Sequence, residues 1–176
     1  MHDIYWKSLT PGCAELAPWL HDAGSLTRRI QTRCKHFAVQ TVHSGLAKVA
    51  YDEASLLNIP CHRLAFSREV FLIADGQPVV FAHSTCALAH LRGAWGAVRG
   101  LGNRPLGELL FTHPLVLRHP LHYKLLHGSH PLLRKAGAQL KASPKSLWAR
   151  RSLFYLQGAP LLVTEVFLPE IISLKK

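Results

Sequence analysis

Arg68-Glu69-Val70-Phe71-Leu72-Ile73-Ala74, then Asp75-Gly76, then Gln77-Pro78-Val79-Val80-Phe81-Ala82: this stretch decides the fold. A run rich in β-branched and aromatic residues meets a dipeptide that adopts positive φ easily, and a second apolar run follows. That order predicts a tight antiparallel turn. Ser152 to Leu156, Gln157-Gly158 and Leu161 to Leu168 repeat the design. His36 to His43 and Arg118 to Leu126 are predicted as further strands. The second is weakened by Pro120, which has no N–H to give to a ladder. The amino-terminal third reads as helix. Ser25 can cap Leu26 to Cys34, and Asp52 or Ser55 can open a short turn. Pro105 to Phe111 is a helix with proline in its first turn, and Pro131 to Lys141 is another, with Ser129 as its cap. The sum is an α+β fold, an antiparallel sheet with helices gathered on one side.

The chain has 176 residues, which predicts a single domain over 1-176, and 48% of it is apolar, enough for a sizeable core. Met1 to Thr10 carries Asp3 and Lys7 and no apolar core, so no signal peptide is expected. The longest uncharged stretches fall short of the ~20 apolar residues of a membrane span, so no stable membrane insertion is expected either. These readings predict a cytoplasmic protein. Cys13, Cys34, Cys61 and Cys86 lie far apart with no CxxC pair, which predicts free thiols. There is no internal repeat and no low-complexity tract.

Lys and Arg outnumber Asp and Glu by 21 to 10. No acid stands between Glu108 and Glu165, an interval holding Arg118, Lys124, Arg134, Lys135, Lys141, Lys145, Arg150 and Arg151. Such a field attracts anions. Around Trp148 it could contact nucleic acid through phosphate contacts and stacking, or simply be a solvated face; no nucleic-acid motif accompanies it. Glycine-rich phosphate loops, GxSxG and HExxH are absent. His119/His122 and His127/His130 lack a Cys or carboxylate at ligand spacing, so no metal is expected.

Two charges inside apolar strands stand out. Glu165 shares a face with Leu161, Val163 and Phe167, and Arg68 shares one with Phe66, Val70 and Leu72. A buried charge costs several kcal/mol unless it finds a partner or a ligand. Either the two pair with each other, or they lie at exposed strand ends, or an aromatic acid lies between them. In the last case Arg68 would grip its carboxylate and Glu165 would accept a hydrogen bond from a ring hydroxyl.

Gly24-Ser25-Leu26-Thr27-Arg28-Arg29, Arg68-Glu69-Val70 through Ala74-Asp75-Gly76-Gln77-Pro78, Pro105-Leu106-Gly107 with Leu110-Phe111-Thr112, and Trp148-Ala149-Arg150-Arg151-Ser152 with Gly158 to Pro169 occur in this order. Together they resemble the chorismate pyruvate-lyase family of ubiquinone biosynthesis. The resemblance implies a six-stranded antiparallel sheet, with the ligand buried beneath helical flaps. It implies a carbon–oxygen lyase acting on chorismate without metal or organic cofactor. Arg68 would bind the ring carboxylate, Glu165 and the Leu106 backbone would hold the para oxygen, and Leu26 would wall the pocket. A second cation, Arg150, Arg151 or His83, would face the enolpyruvyl carboxylate.

This chain departs from a related member at three places. Leu26 replaces a methionine, Ala82-His83 replaces a Gly-Arg pair, and the segment from Arg118 to Lys145 is longer by the helix at Pro131. That helix could lengthen a flap, cover a sheet edge or hold a partner. The competing reading is an aromatic-acid sensor of the same fold. Such sensors normally follow a DNA-binding domain, and only a short helical lead precedes the fold here. The expected partner is the small-molecule substrate, with no nucleic acid, and nothing demands more than a monomer.

Overall fold

A computed structural model describes residues 6–7, 15–140 and 142–174; Cys13, Lys141 and most of the stretch Met1 to Thr10 lie outside these. Among the described residues, the strands are β1 (Phe37–Lys48), β2 (Leu64–Ala74), β3 (Gln77–Cys86), β4 (Leu117–Arg118), β5 (His122–His127), β6 (Ser146–Leu156) and β7 (Ala159–Phe167). The helices are α1 (Ala17–Leu20), α2 (Leu26–Gln31), α3 (Tyr51–Ala54), α4 (Leu106–Thr112) and α5 (Pro131–Gly137). None is long and apolar enough to cross a membrane.

Both expected hairpins form. Asp75 and Gly76 have φ of 48° and 79°, and Gln157 and Gly158 have φ of 52° and 77°. Two successive positive values define the tight turn whose twist matches the strands it joins. The sheet is antiparallel throughout, in the order β1-β2-β3-β7-β6-β4, with β5 also on β6. It has seven strands, where the resemblance implied six. The strand expected from Arg118 to Leu126 is two, because the chain leaves the ladder around Pro120. β5 pairs with the first half of β6, and β4 pairs with its far end at Tyr155 and Phe154.

The helices are not gathered on one side. α1, α2 and α4 cover one face of the sheet, through Leu20, Leu26 and Ile30 and through Leu106 and Leu110. α5 covers the opposite face with Leu133 and Ala136 against Phe81, Leu126, Leu147 and Val166. α3 packs beside it, burying Ala54 against Ala65 and Leu162. The sheet strands are apolar on both faces, so each face needs a cover. α5 thus covers the back of the sheet rather than a flap. It ends at Gly137, and its amino terminus is capped by His130, which accepts from the Leu132 N–H, rather than by Ser129. α2 stops at Gln31, short of Cys34, with Ser25 accepting from Arg28 N–H as expected.

Candidate active site

Strand register assembles the site. Arg68 on β2 pairs with Ser84 on β3, Ser84 with Val163 on β7, and Val163 with Ser152 on β6. Alternation puts these residues on one face with Val70, Ala82, Phe154 and Glu165. α2 and α4 close over that face, and the space between is a narrow cavity of about 50 Å³. Leu26 and Thr27 line it from α2, Leu106 and Leu110 from α4, and Arg118 from β4. The two helices meet at Gly107, where a Cβ would stand 3.1 Å from both Ser25 Oγ and Thr27 Oγ1.

The charges in this cavity are arranged asymmetrically. Arg68 is 2% exposed and makes no ion pair among the described residues. One Nη donates to the carbonyls of Gly102 and Arg104, each at 2.9 Å, which fastens the loop leading into α4. Its Nε is buried without a hydrogen-bond partner, and burial pushes its pKa down. Glu165 is held differently. Arg150, fully buried, donates from Nε to Glu165 Oε2 at 2.5 Å. The Nη1 of Arg150 also donates to the carbonyls of Trp19, Leu20 and Asp22. One guanidinium therefore links the glutamate to the end of α1 and the approach to α2.

All four expected site residues, Leu26, Arg68, Leu106 and Glu165, line this one cavity. The direct Arg68–Glu165 pair is not formed, because the β6–β7 register puts Arg150 opposite Glu165. That pairing was legible. A two-residue turn at Gln157-Gly158 pairs residue 156 with 159, and counting back along both strands brings 150 opposite 165. Of the three expected second cations, none lines the cavity. Arg150 is committed to Glu165. Arg151 and His83 are on the opposite face, since neighbouring strand residues alternate.

Arg118 is the cation that sequence reading missed. Its guanidinium lies 5.4 Å and 5.3 Å from the ring centres of Phe111 and Phe154. One Nη donates to the Ala23 carbonyl, and its Nε is buried without a partner. Burial pushes its pKa down, and Glu165 opposes that shift. Taken as the start of one strand, Arg118 gave no sign of where it would point. The only signal was Pro120.

The opposite face carries a second set of buried charges. His83 lies between Glu53 of α3 and Glu69 of β2, each 3.1 Å from a ring nitrogen, and Lys135 of α5 also reaches Glu69. Burial alone would disfavour the imidazolium, but Glu53 and then Glu69 raise its pKa to about 9. Burial likewise disfavours the Glu69 anion, yet hydrogen bonds from His83 and Lys135 bring it down to about 2. Arg151 pairs with Asp52 at 3.0 Å on the same face. The cleft above these groups is larger, about 470 Å³, but its acids already have partners. No cluster of three His, Cys, Asp or Glu that could hold a metal occurs among the described residues.

A family model described as chorismate lyase matches residues 7–176. A protein of Nitrosospira multiformis named "Probable chorismate pyruvate-lyase" is 52% identical over 157 residues, covering 89% of this chain and 87% of its own. One of Aromatoleum aromaticum with the same name is 48% identical over 163 residues, covering 92% and 88%. Among solved structures, a GntR-family transcriptional regulator from Bacillus cereus superposes with a TM-score of 0.55 at 13% identity, covering 76% of this chain and 92% of that one. The ligand-binding domain of a GntR-family regulator from Bordetella bronchiseptica gives 0.53 at 14%, covering 77% and 86%. At such identities the likeness is one of fold alone.

Proposed function

The chain belongs to the chorismate lyase family, and from that premise we propose that it is a chorismate pyruvate-lyase, releasing 4-hydroxybenzoate and pyruvate from chorismate and so feeding ubiquinone biosynthesis. One observation carries the reading. A buried arginine and a glutamate share one narrow cavity without pairing with each other.

Arg68 takes the ring carboxylate, for which its buried Nε is a ready donor. Glu165, held by Arg150, accepts a hydrogen bond from the C4 hydroxyl. The resemblance gave the Leu106 backbone to the para oxygen. The bond from Arg68 to the Arg104 carbonyl, two residues before Leu106, favours the carboxylate end instead. Leu26 walls the ring from the side of α2. In the reaction the C3–O bond breaks with its electron pair on the enolpyruvyl oxygen, and C4 loses its proton. The ring becomes aromatic, and the released enol takes up a proton to give pyruvate. That gain makes the step strongly downhill, so orientation and fixed charge suffice and no cofactor is called for.

The free space is far below the ~300–1,000 Å³ of ordinary ligand clefts, so α2 and α4 must part for substrate to enter. Every residue used comes from one chain, so a monomer is sufficient. Chorismate is a dianion that does not cross a bilayer unaided, which supports a cytoplasmic reaction. Incubation with chorismate in the presence of EDTA tests the reading. Equal amounts of 4-hydroxybenzoate and pyruvate are expected. A folded protein that binds 4-hydroxybenzoate but makes none would be a sensor module instead.

A further inference from the structure

We infer that Arg118 is the receptor for the second carboxylate of the substrate, the one on its enolpyruvyl arm. This rests on the chorismate reading of the cavity. The substrate carries two carboxylates, and Arg68 accounts for one. Among the other described residues that line the cavity, Arg118 alone is cationic.

Its position fits the arm rather than the ring. Arg68 enters from β2 and Arg118 from β4, with β3, β7 and β6 between them. The two guanidiniums therefore reach the cavity on one face of the sheet from opposite ends of the strand order. The Arg118 side chain reaches towards Glu165: it donates to the Ala23 carbonyl, next to Asp22, whose carbonyl is held by the same Arg150 that holds Glu165. With the ring carboxylate on Arg68 and the C4 hydroxyl at Glu165, the C3 substituent lies next to C4. Its carboxylate then points towards Arg118 and away from Arg68.

The guanidinium is also prepared for an anion. It lies within cation–π distance of both Phe111 and Phe154, whose rings meet edge to face beside it. Among the described residues its side chain makes no ion pair, and its Nε is buried without a partner. The bond from its Nη1 to the Ala23 carbonyl ties it to the segment just before α2. A substrate carboxylate on Arg118 therefore bears on the same group that holds the flap down. After the C3–O bond breaks, that carboxylate leaves with pyruvate, and the aromatic product keeps only its contact with Arg68.

The test compares two stable ligands on Arg118→Met and Arg118→Lys. One is 3-(1-carboxyvinyloxy)benzoate, which carries both carboxylates; the other is 4-hydroxybenzoate, which lacks the arm. Arg118→Met should weaken the dicarboxylate by about tenfold or more and leave 4-hydroxybenzoate within about twofold, with Arg118→Lys between wild type and Met on the first ligand alone. Should the Met variant not fold, the Lys variant carries the same comparison. Equal weakening of both ligands would mean that Arg118 only holds the flap, and no weakening of either would mean its charge is unused. Both results overturn the assignment. A wild-type protein that neither binds 4-hydroxybenzoate nor turns over chorismate would overturn the underlying lyase reading instead.

Discussion

Arg150 and Glu165 stand opposite each other on β6 and β7, Nε 2.5 Å from Oε2, and the same guanidinium caps three carbonyls that lead into α2. The glutamate thus both lines the cavity and pairs with a fully buried arginine. Glu165→Gln should lower turnover by about 100-fold or more, because the charge beside C4 is lost. It should also cost about 1–3 kcal/mol of stability, less than for a wholly isolated cation, since Arg150 keeps its carbonyl acceptors. Chorismate turnover per folded molecule and urea denaturation measure the two effects. Wild-type turnover in the folded fraction would make Glu165 structural only.

Arg68 has no acid to release when its charge is removed. Arg68→Ala should cost about 2–5 kcal/mol in binding 4-hydroxybenzoate, and Arg68→Lys should restore only part of it, lacking the planar fork. The Gly102 and Arg104 carbonyls lose their donor too, so the loop into α4 should become more mobile. Calorimetry gives the affinity. Undiminished affinity in the alanine variant would remove Arg68 from the site.

The buried histidine makes a pH prediction of definite sign. His83 has its pKa raised from 6.5 to about 9, so the stability it contributes is complete below 6.5 and fades as pH rises through about 9. Glu69 is lowered from 4.5 to about 2, so its share is complete above 4.5 and is lost as pH falls through about 2. Melting temperatures between pH 6.5 and 9 should fall in wild type and much less in His83→Gln. Parallel curves for the two proteins would contradict a charged His83 holding α3 to the sheet.

Where α2 meets α4, a methyl group fits only if its neighbours give way by a few tenths of an ångström. Gly107→Ala would place a Cβ 3.1 Å from Ser25 Oγ and Thr27 Oγ1, so these α2-side groups must shift by that much. Overpacking of this kind costs about 1–3 kcal/mol. Because the contact closes the cavity, the cost should appear as weaker binding of 4-hydroxybenzoate at nearly unchanged melting temperature. A large drop in melting temperature with unaltered affinity would show that the contact serves the fold and not the closure.

Much was legible from local rules. Asp75-Gly76 and Gln157-Gly158 announce their turns because few residue pairs accept two positive φ angles. A two-residue turn then sets the register behind it, so the partnership of Arg150 with Glu165 was contained in the chain. Arg68 and Glu165 were visible because a charge within an apolar strand needs a reason, and alternation names the face it uses.

What only the tertiary structure decided depends on contacts far apart in sequence. Pro120 splits a strand, and the short piece before it pairs with the distant end of β6, which alone delivers Arg118 to the cavity. α5 packs on the back of the sheet and not on a flap, since the apolar far faces of β3, β5 and β7 needed cover. His83, a candidate for the cavity by its place in the chain, lies on the other face between Glu53 and Glu69. The reason is the same in each case. Turns and alternation are set by neighbours along the chain, whereas the partner of a buried charge is set by which strands lie side by side and which helix crosses them.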